Sequence, residues 1–356
     1  MARTAFYSLL GILAFLLGSE LVLRALPVST ATRTGYHIDP LILTYPPQHR
    51  WTTATGWDLR NAQSHRANNY GFLAERDFVP DERAVALIGD SFVEASMLDP
   101  ADRLGPQLER RLGRPVYAMG GPGSALLDYA ERIRFAHEKF GIRDFVIFME
   151  RGDVRQSLCG SGNIHGPCLD RQTLAPRTET QAPAGLAKRV LRESALAQYL
   201  FSQLKLNPQR LWDQIVTQSR PVTPETAGRK DAAASGVAPA SEQAVAAVTR
   251  AFLVRAKPHA ARLVVVIDQG RGKLNEGVIQ ADPEISPFMS HLRAGGANVL
   301  DAGPLYRTHA ASSLLKLEVG PYDGHLNRLG LALIASAVSA TLGAAEPPPG
   351  DTPSKR

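Results

Sequence analysis

Residues Ala84-Val85-Ala86-Leu87-Ile88 run without a polar side chain into Gly89-Asp90-Ser91. A short apolar run closed by a small-residue turn reads as a buried strand of an α/β sheet. The turn then falls at the carboxyl end of the strand, where open α/β sheets place their ligand sites. Ser91 is there held at the sheet edge with its hydroxyl free, the placement a serine nucleophile needs. Gly, Asp and Ser all favour plain turns as well, so the tripeptide alone does not define a chemistry.

The chain beyond it alternates helix and strand. Helices are expected over Arg103 to Gly113, Ala125 to Phe140, Glu242 to Lys257 and Phe288 to Ala294. Strands are expected at Val116 to Met119, Phe145 to Met149, Leu263 to Asp268 and Asn298 to Asp301. Such alternation argues a parallel sheet with right-handed crossovers. Tyr306 to Leu315 reads as a loop with helical character, and an Ala/Leu/Val-rich stretch, Leu331 to Leu342, as a final helix.

Just before that helix stands Tyr322-Asp323-Gly324-His325-Leu326-Asn327. A serine hydroxyl is a weak nucleophile at neutral pH unless a base takes its proton. A neutral histidine is the usual base, and a carboxylate fixes its tautomer. Asp323 and His325 offer orienter and base from one loop, and Ser91 the nucleophile from a distant one. Asp301, at the end of its strand, is the alternative acid.

Taken together, the two motifs resemble the SGNH/GDSL hydrolase superfamily, over roughly Ala84 to Leu342. The resemblance implies a flavodoxin-like three-layer α/β/α domain with a mostly parallel sheet that cleaves or transfers ester-linked acyl groups, with Ser91, His325 and Asp323 catalytic. Many members place the acid three residues before the histidine. Here it lies two before, as in the D-x-H of alginate-type O-acetylation proteins. The superfamily's second motif, an oxyanion-hole glycine, matches Gly120 in Tyr117-Ala118-Met119-Gly120. A glycine-rich strand-to-helix turn accounts for the same residues. The third motif, Gly-Asn-Asp, aligns with Arg151-Gly152-Asp153, so its asparagine is missing. Loss of one oxyanion donor costs about 10²–10³ in turnover. Compensation by Arg151 or by another side chain is the favoured reading, with Asp153 structural.

At the N-terminus Ala5 to Ser19 is uncharged, and Leu21 to Leu23 resume the apolar run after Glu20. Ala5 to Leu23 is long enough to approach the roughly 20 residues of a spanning helix. Residues 1–26 are read as a signal anchor, in preference to a signal peptide cleaved near Ser29-Thr30-Ala31, because Glu20 and Arg24 break the usual signal layout. The body is then exported. Residues 27–83 read as an irregular leader packing on the domain, with Trp51 and Trp57 packing it or stacking on a sugar. Its Asn69-Tyr70-Gly71-Phe72 is similar to a segment that anchored relatives carry before Gly-Asp-Ser.

The two cysteines, Cys159 and Cys168, share one glycine-rich loop, and in an exported chain they most simply form a disulfide. With His165 between them they are too few for a closed zinc site; no metal and no cofactor is expected. Residues 170–240 read as an insertion, helical over Arg192 to Leu206 with a possible extension at Leu211 to Ile215, and flexible over Thr223 to Ala240. The body proper is 84–345, and the tail from 346 reads as disordered. The net charge of +6 and pI near 9.4 come without a basic block interleaved with aromatics, so no nucleic-acid footprint is present. The balance suits an anionic membrane or glycan.

The expectation is an exported, membrane-anchored serine esterase acting through an acyl-enzyme on acyl groups, chiefly acetyl, of an envelope or exported glycan, in the periplasm of a bacterial inner membrane. The alternatives are a polysaccharide O-acyltransferase, a non-catalytic scaffold in an envelope polysaccharide assembly, and a lipid or thioester hydrolase.

Overall fold

The computed structural model describes residues 2–161, 166–180, 185–204, 206, 240–271, 283–320 and 323–343. In chain order they form α1 (Ala2–Ala25), β1 (Val85–Gly89), α2 (Ser91–Glu94), α3 (Leu104–Leu112), β2 (Val116–Gly120), α4 (Leu126–Phe140) and β3 (Asp144–Glu150). Then follow α5 (Leu186–Glu193), α6 (Glu242–Ala256), β4 (Arg262–Asp268), α7 (Ile285–Ala294), β5 (Asn298–Asp301), α8 (Gly303–Ser312) and α9 (Arg328–Gly343). The five strands form one sheet in the order β2-β1-β3-β4-β5, every pair parallel. That is the flavodoxin-like doubly wound order.

Side chains leave a strand alternately on its two faces, and both faces here are buried. Ala86, Ile88, Tyr117, Ile147 and Val265 pack with α4, α6 and α7 on one side. Val85, Leu87, Val146, Phe148 and Val266 pack with α3, α8 and α9 on the other. This is why the strands read as continuous apolar runs rather than alternating ones. The result is a three-layer α/β/α body whose strands all end at one edge, at Gly89, Gly120, Glu150, Asp268 and Asp301.

Several segments differ from the sequence expectation. The leader is not irregular: it forms two antiparallel hairpins, Gly35–Asp39 with Ile42–Thr44 and Arg50–Thr55 with Arg60–Arg66. Threonines in the third of these strands suit a pleated, half-buried surface. Trp51 is buried with Tyr45, Ala67 and Leu73, whereas Trp57 is exposed at a hairpin turn. In the insertion, the helix expected over Arg192 to Leu206 is divided: α5 starts earlier and ends at Glu193, and helical turns resume over Ala195–Ala197 and Gln198–Gln203. The Ser194 hydroxyl accepts a bond from Ala197 N–H and starts a new short helix, Ala195–Ala197, as hydroxyl caps do. Tyr306 lies within a regular helix, α8, and α7 starts three residues before Phe288. Leu211 to Ile215, 223–239 and the tail lie outside the described residues.

The helix α1 contains one segment, Arg3–Ala25, long and apolar enough to cross a membrane, with none of it buried against the body. Its Glu20 has a partner all the same. The carboxylate accepts bonds from the Ser194 hydroxyl and from the Ala195 and Leu196 N–H groups at 2.8–3.0 Å. Arg24 donates to the Glu193 carbonyl. The charges that interrupt the apolar segment therefore tie its last turns to the insertion.

Candidate active site

Ser91 opens α2 at the end of β1. Asp90 caps that helix, its carboxylate accepting from Phe92 N–H at 2.9 Å. Gly89 is required just before it, since a Cβ there would meet the Phe148 carbonyl at 2.5 Å and Val93 at 2.6 Å. At the other end of the chain, Asp323–Leu326 is a short strand paired antiparallel with Glu318–Gly320, not the open loop expected. This hairpin carries His325 over α2. The Ser91 hydroxyl donates to His325 Nε2 at 2.9 Å, and His325 Nδ1–H donates to Asp323 Oδ1 at 2.6 Å. Proton positions follow from these partners. The same Asp323 oxygen accepts from the His325 backbone N–H at 3.0 Å. The two-residue spacing thus lets one carboxylate hold both ring and backbone. Asp301, the alternative acid, instead accepts from Gly303 N–H and caps the turn into α8.

Gly120 ends β2 beside Gly89. A Cβ on it would lie 2.4 Å from Glu94 N, so close packing of β2 on α2 is sufficient reason for glycine. Arg151 is exposed on the turn after β3, and among the described residues no hydrogen bond joins it to the serine–histidine pair. In the same turn the Glu150 carboxylate accepts from the N–H of Gly152, the residue that the sequence motif aligns with asparagine. Asp153 is buried and accepts from Tyr129 Oη–H and from Glu150 N–H, both at 3.0 Å. Burial, with Asp90 and Glu150 close by, raises its pKa well above the ordinary carboxyl value. It braces the turn. Asp90 is likewise pushed up to about 6, by burial first and by Glu150.

Cys159 and Cys168 form a disulfide with Cα atoms 5.1 Å apart. Glu179 lies close enough to both sulfurs for a shared ligand, but sulfurs bonded to each other leave no thiolate to bind a metal.

Sequence reasoning missed two arginines. Arg132, on α4, is fully buried and donates to the Gly89 carbonyl at 2.8 Å and the Met119 carbonyl at 3.1 Å. It pins the ends of β1 and β2 immediately below Ser91 and Gly120. Its signal was a charge on the otherwise apolar stripe of Tyr129, Ile133 and Ala136. Arg271 donates to both Asp268 oxygens and, through Nη1, to the Gly324 carbonyl at 2.7 Å. Asp268 also accepts from Tyr306 Oη–H at 2.7 Å. The end of β4 is thereby bonded to the residue between Asp323 and His325.

No family model matches the chain, and no curated protein sequence does. Solved structures do superpose on it. A member of the lipolytic protein G-D-S-L family from Veillonella parvula DSM 2008 is 10% identical, with a TM-score of 0.38 over 73% of this chain and 96% of that one. The lipase/acylhydrolase from Enterococcus faecalis is 10% identical, with 0.38 over 76% and 100%. A putative lipolytic protein of the G-D-S-L family from Desulfitobacterium hafniense DCB-2 is 14% identical, with 0.36 over 72% and 98%. Scores this low carry no weight in the functional reading, which rests on the chain's own strand order and side-chain geometry.

Proposed function

We propose that this protein is a serine hydrolase of the SGNH/GDSL type that cleaves acyl esters through an acyl-enzyme. The observation that carries the reading is the unbroken chain of hydrogen bonds from Ser91 through His325 to Asp323. Ser91 Oγ attacks the acyl carbon while His325 Nε2 takes its proton. Asp323 holds the tautomer and stabilises the imidazolium that forms. The oxyanion is received by the Ser91 N–H, at the first turn of a helix where N–H groups lack intrahelical partners, and by Gly120 N–H, with Arg151 as a further donor. Collapse expels the alcohol, which takes the proton from His325. Water, activated by the same histidine, then releases the acid.

The reading extends to place and substrate. The apolar helix α1 anchors the chain in the bacterial inner membrane with the body in the periplasm. The bonds from Glu20 and Arg24 to the insertion favour a retained helix over a cleaved one, and the disulfide suits an oxidising compartment. An O-acetylated envelope or exported glycan is the substrate class in keeping with that location.

The test is release of acetate by the full chain from an O-acetylated polysaccharide and from a small aryl acetate, each with and without an acceptor sugar. Hydrolysis that Ser91→Ala abolishes supports the reading. Acetyl transfer to the acceptor in preference to water would make the protein an O-acyltransferase. Turnover unchanged by Ser91→Ala would overturn it.

A further inference from the structure

The helix α5 lies outside the catalytic machinery, yet it exposes Leu186, Val190 and Leu191 to solvent. Residues 186 and 190 are one helical turn apart and share a face. Arg192 lies on the opposite side of the helix and Arg189 at the edge of the apolar face. The carboxyl end of α5 is bonded to the anchor through Arg24, which donates to the Glu193 carbonyl, while Arg33 of the leader donates to the Glu193 carboxylate at 2.5 Å. Eight residues of helix extend only about 12 Å. The carboxyl end of α5 is therefore one arginine side chain away from the last turn of α1, and its amino end lies at most about 12 Å beyond that. If α1 spans a bilayer, its last turn is at the membrane surface, and the carboxyl end of α5 is held at the headgroup zone. Leu26 and Phe201, near the same end of α1 and in the segment after it, are also exposed.

We infer that α5 is an interfacial membrane contact, its Leu186–Val190–Leu191 face lying in the boundary between headgroups and acyl chains of an anionic bilayer. Amphipathic helices with arginines on the polar face bind such surfaces. The occupant follows from continuity with the membrane-spanning helix and from the sign of the neighbouring charges. Seated in this way, α1 and α5 hold the body against the membrane at two places, so the body does not swivel freely on a single tether. The inference rests on the reading of α1 as a retained anchor.

The experiment uses the full chain in vesicles of phosphatidylcholine with phosphatidylglycerol, some of the lipid brominated high on the acyl chain. Val190→Trp places a fluorophore on an exposed position that the fold does not need, and Phe15→Trp reports on the anchor itself. The inference expects blue-shifted emission from Trp at 190 and quenching by brominated lipid several-fold above that of the unsubstituted chain. It also expects the quenching to weaken in pure phosphatidylcholine. Water-like, unquenched emission from position 190 while position 15 is quenched would overturn the contact and leave the anchor standing. Absence of quenching at both would remove the anchor as well. Equal quenching at position 190 in both lipids would overturn the anionic preference.

Discussion

Asp323 Oδ1 bonds the ring Nδ1 of His325 at 2.6 Å and its backbone N–H at 3.0 Å. One oxygen thus fixes the histidine at two places, and with them the tautomer that leaves Nε2 open to Ser91. Asp323→Asn keeps a polar group there but presents an amide that favours the wrong tautomer. Ester turnover should fall on the order of 10³–10⁴ at neutral pH while the thermal midpoint barely moves. Paired kinetics and melting curves check this, and near-normal turnover would remove Asp323 from the site.

Arg271 reaches the same hairpin from the far side, through Gly324. It touches none of the triad side chains by hydrogen bond, so it acts as a positioning residue. Arg271→Lys keeps a cation for Asp268, which is 3% exposed, but loses the fork that also holds Gly324. The expected result is kcat lowered about 10–10²-fold with KM little changed. Arg271→Met should do the same and also destabilise the fold, because Asp268 then keeps only Tyr306. A loss confined to KM would contradict a positioning role.

Glu94, at the end of α2 three residues after the nucleophile, is buried and accepts from Tyr45 Oη–H at 2.5 Å. Burial pushes its pKa up to about 7. A carboxyl with a raised folded-state pKa holds its proton more tightly in the native protein than in the unfolded one. Its contribution to stability is therefore greatest at low pH and is lost as pH rises through the folded value. Glu94→Gln keeps an acceptor for Tyr45 and cannot ionise. Its unfolding free energy relative to the unsubstituted protein should rise by roughly 3 kcal/mol between about pH 4 and about pH 8. Denaturant titrations at several pH values measure the difference, and a pH-independent difference would contradict the buried, neutral carboxyl.

Much of the frame is legible in the sequence because its signals are local. The apolar run into Gly89-Asp90-Ser91 marks a strand end by itself, and Asp323-Gly324-His325 stands immediately before an apolar helix. Long-range polar partners are not legible in that way. Arg132 bonds main-chain carbonyls 43 and 13 residues away, and a carbonyl carries no sequence signature. Arg271 and Gly324 are 53 residues apart. The leader strand Arg60–Arg66 is nearly all polar, so neither period marks it, and its pairing with Arg50–Thr55 is visible only in the fold. Glu20 reads as an interruption of the apolar helix until Ser194 is brought beside it. The missing asparagine is clear in sequence, whereas the bond from Gly152 N–H to the Glu150 carboxylate is a matter of local geometry.

The central claim is that His325 activates Ser91. Covalent labelling of the full chain by a fluorophosphonate probe measures this without any choice of substrate. The account predicts labelling at Ser91, abolished by Ser91→Ala and reduced on the order of 10³-fold or more by His325→Ala. A folded protein that takes up no label, or that labels equally well without His325, would contradict it.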